Sequence, residues 1–167
     1  MKRLSIKRID RVDARILKLL EADGRMSVAD LARDLGMSSP SVSERMRRLE
    51  EAGVIKKYTL EIDPAALGYS LQVYIRVRPV AGQLQKVVSL LAEIPEIVEC
   101  HRITGDDCFI AKACLRSVDR LEGLIDQIIP YAQTNTSIIQ STPVPSRLPP
   151  LEPAGKRPGP RDGGSRG

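Results

Sequence analysis

The chain has 167 residues, 42% of them apolar, and a formal net charge of +5. That length suits one or two small domains with a core of their own, and no apolar run approaches the roughly 18 residues of a membrane-spanning helix. Three cysteines without CxxC spacing and a single histidine, His101, make neither a disulfide framework nor a zinc set, so no cofactor or metal is expected and the expected compartment is a reducing cytoplasm.

Charge is uneven along the chain. Residues 1–60 hold 14 Lys/Arg against 9 Asp/Glu, residues 61–141 hold 7 against 10, and residues 142–167 hold 5 against 2. A basic first third beside an acidic middle suits a first part that meets a polyanion and a second that does not. The opening MKRLSIKRID is basic but lacks the apolar stretch of a secretory signal. Residues 1–9 read as a basic arm, either frayed or lying along phosphate.

A first helix is expected from Asp10, which can cap it, to Asp23, with Gly24 ending it. Val12, Ile16, Leu19 and Leu20 fall on one face, and Asp13 sits near the positive end of the helix dipole. A second helix starts at Ser27, with Asp30 three residues on, and ends at Gly36. A third starts at Ser39–Pro40, serine suiting the cap and proline the first helical position, and Gly53 stops it. Ala32 is small where two helices cross, Gly36 takes the turn, and Val42 plugs the core from the third helix. Leu31, Leu35, Met37, Met46 and Leu49 complete one apolar side. This is helix-turn-helix spacing; any small helical hairpin is the plainer alternative.

On the third helix, Ser39, Ser43, Glu44 and Arg47 are placed to approach base edges. Arg47 can take a guanine bidentately, and Glu44 can accept from a cytosine amino group. Ser41, Arg45 and Arg48, at the flanks, are expected at phosphates. The competing reading is a solvated helix face with pairs such as Arg47–Glu51. Residues 54–62, VIKKYTLEI, read as extended, with Lys56 and Lys57 forming a wing-like phosphate contact or a plain exposed edge. The turn-rich DPAALG that follows belongs to a hinge over residues 61–68.

From residue 69 the pattern changes. SLQVYIRVRP alternates strictly, with Leu71, Val73, Ile75 and Val77 on one face and Gln72, Tyr74, Arg76 and Arg78 on the other. A helix over 83–94 has Leu84, Val87, Val88, Leu91 and Ala92 on its buried stripe, and Pro95 stops it. Strands over 97–104 and 108–115 are joined by Gly105-Asp106-Asp107, a hairpin signal. Ser117 caps another helix with Leu121, Leu124, Ile125, Ile128 and Ile129 inward, and a last strand covers 134–141. The order β-α-β-β-α-β is the ferredoxin-like pattern. No nucleophile elbow, phosphate-cradling glycine loop or apolar pocket with paired carboxylates is legible in it. His101 and the cysteines read as ordinary sheet residues. Residues 142–167 hold seven prolines and five glycines, so a disordered basic tail is expected from residue 145 on.

These residues resemble the Lrp/AsnC (feast/famine) group of transcription regulators over about residues 8–144. The marks are IDRVDARILKLLEADGR, LARDLGMSSPSVSERMRRLEEAGVI, and TGDDCFIAKACL followed by TNTSIIQS. The resemblance implies a winged-helix or helix-turn-helix domain, a ferredoxin-like effector domain, and dimers built through the sheets and often assembled further into octamers. It implies an amino acid or similar effector bound between subunits, near the TGDD loop and the last strand. Thr104, Gly105, Asp106 and Asp107 carry over from the loop, and Thr134, Thr136 and Ser137 from the segment leading into the final strand. Members often show Gly-Asp-aromatic-Asp where this chain has Gly105-Asp106-Asp107-Cys108, a departure that bears on the effector. A glycine hairpin still exposes N–H groups able to hold a carboxylate, and Asp106 or Asp107 can pair with an α-amino group; a plain turn is the alternative.

The expectation is therefore an α+β chain. Residues 1–60 form a winged-helix-like helix-turn-helix domain, 61–68 a hinge, 69–144 a ferredoxin-like βαββαβ effector and dimerisation domain, and 145–167 a tail. Tyr74 on the polar face of the first strand suits a partner sheet, and a sheet-to-sheet homodimer would set two recognition helices on a pseudo-palindromic site in double-stranded DNA. The function expected is sequence-specific regulation of transcription under a small effector. The alternatives are a haem-pathway decarboxylase-like enzyme of the same layout, which wants more histidines than His101, or a ligand-binding assembly module without DNA binding.

Overall fold

The computed structural model describes residues 9–151; the basic arm before Ile9 and the tail after Leu151 lie outside the described residues. The chain divides into two compact units. One runs to Leu60 and takes in the segment from Pro145, and the other is Glu61–Val144.

The first unit is three helices, α1 (Arg11–Ala22), α2 (Val28–Leu35) and α3 (Ser39–Glu51). Asp10 caps α1 reciprocally. The Asp13 N–H donates to Asp10 Oδ1 at 2.8 Å, and the Asp10 N–H donates to Asp13 Oδ2 at 3.1 Å. Ser27 caps α2 by accepting from the Asp30 N–H. Gly36 ends α2 at φ +63°, a left-handed conformation that costs a side chain and suits glycine. The turn it makes lets Ala32 and Val42, both buried, bring α2 and α3 together over Ile16, Leu17, Leu31 and Leu49. Burying each of these large side chains contributes about 1.5–3 kcal/mol.

Three expectations need correction here. Ser38 holds the N-cap position of α3 without a side-chain capping bond, and Ser39 is already helical. Residues 54–62 form no strand; the turn after Gly53 instead ties the Val54 and Ile55 N–H groups to the Leu49 carbonyl. The expected tail also does not begin at 145. Leu148 and Leu151 pack on the core of this unit, and the Leu148 N–H donates to Glu21 Oε1 at 2.6 Å. Proline-rich composition misses this because two leucines and one backbone donor are enough to dock a short segment.

The second unit holds β1 (Leu71–Pro79), α4 (Leu84–Glu93), β2 (Ile97–Arg102), β3 (Phe109–Leu115), α5 (Val118–Ile128) and β4 (Ala132–Ile138). The strands form one antiparallel sheet in the order β2-β3-β1-β4. This is the ferredoxin-like arrangement. Val73, Ile75 and Val77 of β1 join Val87 and Leu91 of α4, Leu124 and Ile128 of α5, and Phe109, Ala113 and Leu115 of β3 in one core. Helix packing selects a narrower stripe than periodicity suggests. Val88, Ala92 and Ile129 are exposed, while Ile94 is buried.

The other sheet face carries no helix. Directly opposed residues of antiparallel strands share a face, so Tyr74, Arg76 and Arg78 stand there with Lys112, Ile110 and Gln133. At one end the segment from Ile62 to Tyr69 reaches over this face. Between them lies a hollow of about 680 Å³ whose walls include Leu67, Tyr69, Val98, Cys114 and Arg116. The Arg116 guanidinium stacks on the Tyr69 ring at 4.7 Å.

Candidate nucleic-acid interface and effector loop

The α3 sequence puts Val42 and Leu49 into the core, and the helical period then turns Ser39, Ser43, Glu44, Arg47 and Arg48 outward, all exposed. Ser41 is also exposed, with its hydroxyl 2.8 Å from that of Ser38. Arg47 lies within a clamp. Its Nε and Nη2 donate to Glu44 at 2.9 and 2.6 Å, and its Nη1 donates to Glu51. The hydrogen bond from Arg47 holds the Glu44 carboxyl below the ordinary carboxylate range, and the two carboxylates raise the Arg47 guanidinium above its own.

Arg45 departs from its expected place at a phosphate. Its Nη1 donates to Asp10 Oδ2 at 2.6 Å and to Asp13 Oδ1 at 2.7 Å, and only 22% of the side chain is exposed. The residue braces α3 against the capped end of α1, so its charge is neutralised inside the domain. Burial pushes the Asp10 carboxyl up, but the Asp13 N–H and the Arg45 guanidinium outweigh it and hold it below the ordinary range. Sequence reasoning missed this pairing because no periodic signal links residues thirty-two positions apart. The hint was Asp13, an acid on the helix flank between Val12 and Ala14.

Val54, Tyr58 and the two lysines follow α3 without a strand. Lys56 and Lys57 are exposed. Tyr58 donates to Glu50 Oε1 at 2.8 Å, and burial together with that carboxylate pushes its hydroxyl up to about 12.

In the second unit the sheet brings most of the expected effector residues to one end of β1. The Cys108 N–H donates to the Val77 carbonyl at 3.1 Å, and Val77 is the register partner of Thr134. The loop and the start of β4 therefore flank the same strand end. Gly105 takes φ +108° at the loop tip, and Asp106 and Asp107 lie 3.7 and 3.8 Å from Arg78. Thr136 opposes Ile75 and shares the helix-covered side with Thr134. Ser137 opposes Tyr74 on the open side, so the three β4 residues do not converge on one point. Thr104, Gly105 and Asp106 are exposed, and none of the expected effector residues lines the 680 Å³ hollow. His101 is exposed and hydrogen-bonded to Glu99 at 2.6 Å.

The family profiles of the winged helix-turn-helix DNA-binding domain and of the Lrp/AsnC ligand binding domain match residues 9–56 and 72–149. The HTH-type transcriptional regulator FL11 of Pyrococcus horikoshii is 39% identical over 137 residues, which are 80% of this chain and 91% of the relative. The chain belongs to the Lrp/AsnC family of transcriptional regulators. The HTH-type transcriptional regulator LrpC of Bacillus subtilis is 36% identical over 134 residues, 80% of this chain and 93% of the relative. Its solved structure superposes with a TM-score of 0.79 at 34% identity, covering 83% of this chain and 99% of that one. The crystal structure of the Mycobacterium tuberculosis leucine response regulatory protein LrpA gives 0.71 at 29% identity, covering 84% and 98%. With these relatives the chain is an HTH-type transcriptional regulator with a ligand-binding domain, and not a decarboxylase-like enzyme. Among the described residues no helix is long and apolar enough to cross a membrane.

Proposed function

We propose that this Lrp/AsnC regulator, in the cytoplasm, reads a pseudo-palindromic operator in double-stranded DNA as a homodimer and responds to an amino acid. The observation that carries the reading is the division of α3 into a buried edge, Val42 and Leu49, and an exposed polar edge bearing Ser39, Ser43, Arg47 and Arg48. Ser39, Ser43 and Arg47 approach base edges, while Ser41 and Arg48 hold the backbone. Glu44 belongs to the same surface. Arg45 serves the domain's integrity instead.

Dimerisation uses the helix-free sheet face around Tyr74, Arg76 and Ile110, whose mixed aromatic, aliphatic and charged character fits a partner sheet. Four such dimers can associate further into an octamer. The effector is held by the loop Thr104–Gly105–Asp106–Asp107 with Thr134 and Thr136, and a neighbouring subunit completes the pocket, since these residues stand exposed or half-buried at a strand end. Ser137, on the opposite face, reaches such a ligand only from a second copy. Binding-site selection from random duplexes tests the DNA reading. Enrichment of an inverted repeat supports it, and no enrichment at moderate salt overturns it. Thermal-shift screening of the twenty amino acids tests the effector, because a ligand of the native state raises the midpoint; no shift with any of them overturns that part.

A further inference from the structure

We propose that Glu44 is a positioning residue that aims the Arg47 guanidinium at one guanine, and that it reads no base itself. The proposal rests on the DNA-contacting role of α3 given above. Both oxygens of Glu44 are committed to one edge of the guanidinium, Oε2 accepting from Nε at 2.9 Å and Oε1 from Nη2 at 2.6 Å. Glu51 accepts from Nη1 on the other flank. A guanidinium carries five N–H donors. These bonds take three and leave one on each terminal nitrogen, the number that a bidentate contact to guanine O6 and N7 uses.

The clamp follows from sequence spacing. Residues three and four apart are neighbours on a helix surface, so acids at 44 and 51 both reach position 47. A long arginine side chain loses rotamer freedom on docking, and one already held in place loses less. The acids also steer. Two carboxylates around one guanidinium leave the group with a net negative charge, which phosphates repel and an uncharged base edge does not. Arg48 makes no ion pair among the described residues and so keeps its charge for the backbone. Excluding water at a DNA interface strengthens the Glu44–Arg47 pair relative to its worth at an open surface. A cytosine amino group, by contrast, would have to compete with Arg47 for Glu44 oxygens that are already occupied.

The test is selection of bound duplexes from a random library with the full chain and with its Arg47→Ala, Glu44→Ala and Glu44→Gln variants at one fixed salt. Positions 44 and 47 are more than half exposed, so these substitutions leave the fold intact. The expected result is a guanine enriched at one position of each half-site, lost in Arg47→Ala and weakened several-fold at that same position in Glu44→Ala. Glu44→Gln, which keeps one acceptor for Arg47, falls between. If Glu44→Ala keeps the guanine and loses a cytosine elsewhere, Glu44 reads a base and the proposal is wrong. If it leaves every preference unchanged and only raises affinity for all sequences, the pair is a surface bridge and the proposal is equally wrong. Absence of any preference in the unsubstituted chain removes the DNA reading on which both rest.

Discussion

The Arg45 guanidinium lies 2.7 Å from the carboxylate of Asp13, a residue only 3% exposed. A buried carboxylate is costly unless paired, and here the partner comes from α3, the helix that carries the exposed polar edge of Ser39, Ser43 and Arg47. The same guanidinium reaches Asp10, the cap of α1. Helix capping and the angle of α3 are thus fixed by one group of three charges, and the stability of the domain is tied to the presentation of its polar edge.

Arg45→Met tests this brace. Removing one partner of a buried pair costs about 3–5 kcal/mol; Arg45 is partly solvated, so a loss on the order of 2–3 kcal/mol is expected, read as a lower urea or thermal midpoint. DNA affinity should fall for every sequence alike, while the salt dependence keeps its slope. Loss of a phosphate contact lowers that slope by about one unit. A lowered slope with unchanged stability would return Arg45 to the phosphate contacts.

The same cluster sets an acid limit. Asp10 titrates below its ordinary value of 3.8. A carboxyl with a depressed folded-state value contributes stability that is present above its unfolded value and is lost as the pH falls through the folded one. The helix-turn-helix unit should therefore lose stability as the pH drops below about 4, and Asp10→Asn should flatten that part of the profile. Equal acid slopes for the two proteins in chemical unfolding would show that Asp10 does not carry it.

Much of this is legible in the sequence. Ala32, Gly36 and Val42 identified the turn between α2 and α3, because close helix crossing and a left-handed residue each allow few residue types. Strict alternation from Leu71 to Arg78 identified β1 and its two faces. Illegible features were those set by partners distant in sequence. Arg45 reads as a surface cation until Asp10 and Asp13 are folded beside it. Val88 and Ile129 fit a helical stripe, yet the sheet leaves them uncovered. The opposite faces of Thr136 and Ser137, by contrast, follow from the two-residue period of a strand and are legible locally.

Gly36 offers a direct measurement of backbone constraint. A Cβ built there meets nothing within 4 Å, so the only cost of a side chain is the φ of +63°. Gly36→Ala should destabilise by about 1 kcal/mol, and Gly36→Asn by less, since asparagine enters the left-handed region more readily. Equal stability of both variants and the parent in urea unfolding would mean that the turn relaxes to another conformation.

The segment after Pro145 makes the last prediction. Leu148 and Leu151 lie half-buried against the core of α1, α2 and α3, and the Leu148 N–H is bonded to Glu21 near the end of α1. Two half-buried leucines contribute about 1–3 kcal/mol together, a sizeable share of what a small domain possesses. A chain ending at Val144 should show faster amide exchange in α1 and a lower midpoint for the helix-turn-helix unit. Leu148→Ser should reproduce part of that loss, and Leu148→Pro, which also removes the N–H, more of it. The exchange rates of α4 and α5 should stay as they were, because the segment packs on the other unit. Unchanged protection of α1 in all three proteins would show that the segment rests on the domain without supporting it.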